Sequence, residues 1–381
     1  MTDALSAHRL LFRLAQSGAL LFAWIFIFEY FARLGSFGEA AYHTALTFCL
    51  AHAVAYVLTP FSARAVRNGV KSPTAKATLV LSTAYILLGL SLWGFVSQPG
   101  VWGIFAFAIL FGVYRALYWI SYRAHMGVGA KGRAYEIIVA LMPLVFGYAA
   151  AFAPNPSVIL IAAAVLVFLS LVPHLRIPDV VERYPWGAVE TFREFFRSYH
   201  RLVVLRAAID GAHSAALFLI WPLAVFMLLE RSYALLGLVF SLTLLTVLFV
   251  RFTLRRFSSQ SSVLHTPSVR AAHIVSAWIF RLVAATPIAI IAVGVYAHAY
   301  GSDREETDIL AFEHTADQGV YLDEHTVLKE MGAAIGKVIA ALMFAVLALH
   351  VSIPAAFAIV FVLVAVFSGV VLLTRRRSVV F

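Results

Sequence analysis

Apolar runs long enough to cross a bilayer recur along this chain, each ended by Pro, Gly or a basic cluster. The first six fall near Leu14 to Leu34, Ala40 to Pro60, Ala75 to Val96, Trp102 to Tyr122, Ala134 to Phe152 and Ser157 to Leu175. Each predicts a helix, because a crossing of the hydrocarbon core takes ~20 mostly apolar residues. A charged stretch from Arg176 to Arg201 follows, and then runs at Leu202 to Leu229, Ser232 to Phe252, Ser268 to about His298, Met331 to Leu349 and Ile353 to Leu373. Within the charged stretch Val189, Phe192, Phe196, Tyr199 and Val203 recur at helical spacing, with Glu190, Arg193, Glu194, Arg197 and Arg201 on the other side. This pattern fits an amphipathic helix on the inner leaflet, or equally a cytosolic extension of the seventh helix.

Composition explains why the pattern is so dense. Of 381 residues 62% are apolar and only 13% charged, more hydrocarbon than a water-soluble domain of this size can hide. The net charge of +10 sits in short clusters between apolar runs instead of on one basic face, so it marks topology and excludes a nucleic-acid partner. A lone cysteine, Cys49, rules out an intrachain disulfide. The first run carries Glu29 and does not close on a small-residue cleavage site, so it is expected to remain as the first membrane helix.

Basic residues cluster at Arg9 and Arg13, at Arg64, Arg67 and Lys71, at Lys131 and Arg133, through the central stretch, at Arg255 and Arg256, and at Arg375 to Arg377, whereas alternate loops hold few. The positive-inside rule then places both termini in the cytoplasm and requires an even number of crossings. A tenth helix is therefore expected between roughly Ile290 and Thr315, breaking near Gly301 and turning Asp308, Glu313 and His314 away from lipid. The alternative is a long external loop over the polar stretch Gly301 to Glu330, with eleven crossings. The expected layout is all-α, with twelve transmembrane helices in two pseudo-symmetric six-helix bundles, residues 1–175 and 202–381, joined by a cytosolic amphipathic connector at 176–201. A faint internal repeat agrees: Trp119, Tyr122, Arg123 and His125 lead to Arg133, Glu136 and Gly147, as Phe312, Glu313, His314 and Asp317 lead to Glu324, Lys329, Glu330, Gly332 and Gly336.

Six plus six helices with a basic connector resemble the major facilitator superfamily over nearly the whole chain. The loop between helices two and three in that family reads like G-x-x-x-D-R-x-G-R-R; here Arg67, Gly69 and Lys71 match it, while Ser62 stands at the leading Gly and the Asp is absent. The stretch Tyr118, Trp119, Ser121, Tyr122 is similar to that of poorly characterised bacterial members. The resemblance implies a gating role for Arg67, Gly69 and Lys71, and a central cavity lined by the first, fourth, seventh and tenth helices.

An ionised group at the bilayer centre costs ~2.5–3.5 kcal/mol, so its position is informative. Helix one carries Glu29, helix four Arg115 with Tyr114, Tyr118 and Trp119, helix seven Asp210 and His213, and the tenth segment Asp308, Glu313 and His314. Glu29, Tyr114, Arg115, Tyr118, Trp119 and Glu313 are candidate substrate contacts, through charge-assisted bonds and stacking. A pair between Arg115 and Glu29 across the cavity, structural or gating, is the competing reading. Asp210 and His213 share a helical face, so with Asp308 and His314 they are candidate proton carriers; a solvated helix start also explains Asp210. Arg281 in the ninth helix is expected to reach an acidic partner on helix ten or to snorkel to the interface. The spacing of Glu313, His314 and Asp317 matches no metal motif, and no metal or cofactor is expected. Gly332 and Gly336 form a small-xxx-small pair suited to close helix packing.

Together these residues predict a monomeric secondary active transporter in the cytoplasmic (inner) membrane, moving a small polar solute by alternating access with protons as the drive, and not an enzyme. Two other readings stay open: a membrane enzyme acting on a lipid or isoprenoid through His314 and its neighbouring carboxylates, and a non-transporting or lipid-scrambling protein on the same fold.

Overall fold

The computed structural model describes residues 2–93, 99–125, 133–181, 184–257, 267–299 and 324–374, and every regular element among them is a helix. The first six long helices are α1 (Thr2–Ala32), α2 (Phe37–Ala65), α3 (Lys71–Leu92), α4 (Pro99–His125), α5 (Arg133–Phe152) and α6 (Val158–His174). The short α7 (Ala188–Phe195) follows; then α8 (Arg201–Ala215) runs through a π-helical turn, Ala216–Ile220, into α9 (Trp221–Leu228) as one continuous rod. The last crossings are α10 (Tyr233–Phe257), α11 (Pro267–Val283), α12 (Pro287–Ala299), α13 (Glu324–His350) and α14 (Ile353–Thr374). Nine of the described helices are long and apolar enough to cross a membrane, with shorter apolar helices at Val158–His174 and Pro287–His298. The chain is a multi-pass helical membrane protein.

Helix α1 starts a dozen residues before its apolar run. His8, Arg9 and Arg13 are buried: His8 Nδ1 meets the Ser170 carbonyl at 2.8 Å, its Nε2 lies 3.3 Å from the Tyr118 hydroxyl, and the Arg13 guanidinium lies 4.8 Å over the Tyr135 ring. Polar residues paired inside the bundle cost little, yet they end an apolar run. Basic residues counted as topology markers, Arg9 and Arg13, are thus interior side chains as well.

The expected single helix over Ser268 to His298 is two helices. The chain turns at Ala284 to Thr286, where the Thr286 hydroxyl accepts from the Ala289 amide at 3.2 Å and Pro287 takes the first helical position. Threonine as N-cap and proline just after it is a strong start signal, and hydropathy averages over it. The tenth crossing therefore opens at Pro287 and not near Ile290; its expected continuation past Ala299, with Asp308, Glu313 and His314, lies outside the described residues.

The connector separates from the seventh crossing. Arg197 adopts an extended backbone at ψ 141° between α7 and α8, so no continuous extension forms. Thr191, Glu194 and Phe195 face inward, while Val189, Phe196 and Tyr199 face outward, 76%, 76% and 83% exposed. Glu194 holds this corner by pairing with Arg197 at 2.7 Å and His200 at 3.4 Å.

Helix packing repeats between the first six crossings and the last six. In the first set α1 packs on α5 and α6, α3 on α4 and α6, and α2 on α4; in the second α8 packs on α13 and α14, α11 on α12 and α14, and α10 on α12. Among the described residues α2 with α13 and α5 with α10 form the two main junctions between the sets, and α1 also touches α9. At the second junction Gly147 faces Gly237, and a Cβ on Gly237 would meet the Pro143 carbonyl and the Gly147 backbone. Small residues let the backbones touch where dispersion, not hydrophobicity, drives association in lipid. Within the second set a Cβ on Gly336 would strike the Ala208 carbonyl, so the Gly332 and Gly336 pair seats α13 against α8.

Overpacking this junction should be costly. Gly237→Val is expected to destabilise the folded protein by about 1–3 kcal/mol, seen as a lower thermal midpoint in detergent, whereas Gly187→Ala, where nothing lies within 4 Å, should leave the midpoint unchanged.

Candidate functional site

Between the two sets lies a cavity of about 870 Å³, including its open mouth. Three cations line it, each from a different helix: Arg13 on α1, Arg115 on α4 and Lys337 on α13. Glu330, two turns before Lys337 on the same face of α13, is its one carboxylate among the described residues, and His52 on α2 adds an imidazole. Arg13, His52 and Lys337 are largely buried, 4%, 4% and 7% exposed. Among the described residues, three cations against one carboxylate give this lining a positive surplus, a field that favours anions.

The aromatic wall comes from helical spacing on α4 and α1. Tyr114, Tyr118 and Phe111 form a continuous row, with Phe12 stacked on Tyr118 at 4.3 Å and 6° between planes. Arg115 lies 5.2 Å over the Trp119 ring, which fixes a guanidinium edge toward the cavity. Of the residues singled out from sequence, this cavity gathers Tyr114, Arg115, Tyr118 and Trp119. It adds Arg13, His52, Glu330 and Lys337, which sequence reasoning left out of the site. Lys337 had a visible signal: a lone charge inside an apolar run, seven residues from a carboxylate.

A second lobe of about 980 Å³, its open side included, adjoins the first, and Leu20 and Phe218 line both. Phe218 sits in the π-helical turn, a rare geometry that often re-aims a side chain at a functional site. Arg281 lines this lobe, its guanidinium 4.3 Å from the Trp278 ring centre and 5.4 Å from that of Trp221. It is buried in the protein rather than snorkelling, and it makes no ion pair with any described residue.

Glu29 stands apart from both lobes, near the end of α1 opposite the connector. It accepts two hydrogen bonds from Arg231, at 2.7 Å from Nε and 2.6 Å from Nη2, so its partner is not Arg115. The pairing raises the pKa of Arg231, which stays charged. Arg231 lies in the turn between α9 and α10, where Glu230 and Arg231 have φ of 52° and 60°. Left-handed backbone at non-glycine residues costs roughly 1–2 kcal/mol each, and here it delivers a fork across to α1. The bond thereby ties the first set of helices to the second.

Asp210 and His213 lie on α8 beside, not on, the lobes. His213 Nδ1 accepts from the Trp278 indole at 3.1 Å and lies 3.2 Å from the Ser368 hydroxyl. An indole N–H only donates, so Nδ1 is unprotonated in this arrangement.

The loop bearing Arg67, Gly69 and Lys71 is docked on the connector. Arg67 Nε donates to the Tyr184 carbonyl, and Nη2 to that of Trp186 at 2.9 Å. Asp179, following α6, accepts from the Lys71 amide at 2.8 Å and fills the space beside Gly69, whose φ is 112°. A carboxylate absent from the loop itself is thus supplied from the connector. Burial pushes the Tyr184 phenol up to about 12, which keeps its proton for the 2.8 Å bond with Thr191.

No protein-family model matches the sequence, and no curated protein matches it. Solved structures do match its fold. A nucleoside transporter, NupG, is 12% identical with a TM-score of 0.58, each chain covered in full. The human organic anion transporter MFSD10 (TETRAN) is 12% identical with a TM-score of 0.61 over 97% of this chain and 98% of that one. The peptide transporter POT, solved as a point mutant, is 14% identical with a TM-score of 0.64 over 99% of this chain and 94% of that one. Identities this low carry no substrate across, but end-to-end coverage carries the architecture: the chain shares the fold of these three transporter structures.

Proposed function

We propose that the protein is a secondary transporter that moves a small, negatively charged polar solute through the central cavity by alternating access, with protons as the drive. The supporting observation is the cavity between the two helix sets, where Arg13, Arg115 and Lys337 outnumber Glu330. Glu330 shares that space with three cations and competes with an incoming anion for them. Protonating it removes the competitor, so proton and anion bind together, and a pH gradient draws the solute in with the proton. Asp210, His213, Asp308 and His314 remain further candidates along the proton path, and Glu313 a further contact for the solute. The loop of Arg67, Gly69 and Lys71 latched to the connector serves as one gate, and the Glu29–Arg231 clasp as the other.

In proteoliposomes an imposed pH gradient should drive saturable uptake of one or more members of a panel of labelled small carboxylates and phosphates. Arg115→Gln should lower kcat/KM roughly 10–100-fold, the value of hydrogen bonds to a charged group. Glu330→Gln should abolish gradient-driven accumulation while solute exchange persists. Folded, reconstituted protein that moves no solute under any ion gradient would reject the reading.

Opening at the clasp can be followed with the sole cysteine removed (Cys49→Ser) and Phe26, which lines the space beside Glu29, replaced by cysteine. Glu29→Gln or Arg231→Gln should speed its reaction with an impermeant maleimide several-fold, and the swap Glu29→Arg with Arg231→Glu should slow it again. Equal rates in all four proteins would show that the clasp holds nothing shut.

A further inference from the structure

Arg281 is the most exacting group in the molecule. It lies in the last turn of α11, is only 5% exposed, and its Nε finds no hydrogen-bond partner among the described residues. A guanidinium presents five N–H donors in a fixed fork and cannot discard its proton to escape the cost of burial. Trp278 and Trp221 offer ring faces, which attract the charge but accept none of those hydrogen bonds in the plane of the fork.

Among the described residues no side chain lining the lobe bonds the fork. The donors of its other polar side chains go to helix carbonyls: Ser17 donates to Val139 at 2.9 Å, Thr243 to Val239 at 2.8 Å, and His298 Nδ1 to Gly294 at 2.7 Å. What remains of the wall is apolar, including Leu21, Pro143, Phe240, Leu244 and Ile290. A large greasy chamber with one buried cation and its remaining donors turned away is the inverse image of an amphipathic anion.

We infer that this lobe binds an organic monoanion whose carboxylate or sulfonate takes the Arg281 fork and whose aromatic-sized apolar body fills the space toward Phe218. The site is separate from the polar cavity of Arg13, Arg115 and Lys337 and adjoins it at Leu20 and Phe218. It deepens the transporter reading by naming a ligand class, and rests on that reading only in taking the ligand as cargo; binding itself is measurable without transport.

The test uses purified full-length protein in detergent, with equilibrium dialysis of labelled 2-naphthoate and of its uncharged counterpart 2-naphthamide against protein-free micelles as blank. The acid should bind saturably and at least about tenfold more tightly than the amide, since one charge-assisted fork is worth that much. Arg281→Gln should bring the acid down to the affinity of the amide, Arg281→Lys should fall between, and Arg197→Gln on the connector surface should change nothing. Should Arg281→Gln fail to fold, Leu244→Trp decides the matter: it fills the lobe without altering charge and should weaken both ligands about tenfold. Binding that ignores the charge, or that survives Arg281→Gln or Leu244→Trp, overturns the proposal. So does a charge-blind wild type whose Arg281→Gln variant regains stability on adding Asp308→Asn or Glu313→Gln, because an intrachain carboxylate then owns the fork. Selective naphthoate binding without transport of any anion would sink the transporter reading and leave this site standing, whereas anion transport with charge-blind naphthoate binding would do the reverse.

Discussion

Lipid accepts no hydrogen bonds and screens no charge, so each ionised or polar side chain carried into the bilayer must find its partner on another helix or in enclosed water. That constraint organises this protein. His8 is held by α6 and α4, Gln16 by Tyr85 of α3, His213 by α11 and α14, and Glu29 by the turn after α9. The charged groups so gathered define an interior, and the apolar faces of the helices define an outside. Close backbone contacts at Gly147 and Gly237 then hold the two helix sets together with little side-chain interlocking.

The same constraint separates two kinds of cavity charge. Arg13, Arg115 and Lys337 share their space with the Glu330 carboxylate, which partly balances their field. Arg281 has aromatic faces and carbonyl-committed neighbours, so its fork suits a ligand that brings its own apolar body. Two neighbouring chambers thus differ in kind, one lined by several charges and the other mostly apolar.

Much of the architecture was readable from the chain because helix length, apolar runs and basic loops are written one residue at a time. The placement of Arg115 with Tyr114, Tyr118 and Trp119 was readable for the same reason, as all four lie within about a turn and a half of one helix. What hydropathy could not show were pairings between distant segments. Arg13 looked like a loop marker because its burial comes from distant helices, with Tyr135 of α5 under its guanidinium, and Glu29 looked like a cavity group because its partner sits in a turn with left-handed backbone. The division of α11 from α12 was written in Thr286 and Pro287, but an average over twenty residues erases a two-residue signal. The polar stretch with Asp308, Glu313 and His314 lies outside the described residues, so its part in the site is a matter for experiment.

The π-helical turn at Ala216–Ile220 sets the rotational phase of everything after it. A π-turn accommodates one residue more than an α-turn, which rotates the following segment by about 100° relative to an unbroken α-helix. Through that offset Ser214 looks into the polar chamber while Trp221, on the same rod, looks at Arg281. The seventh crossing thus turns one flank to each chamber, and losing the extra residue would swing Trp221 off the Arg281 guanidinium.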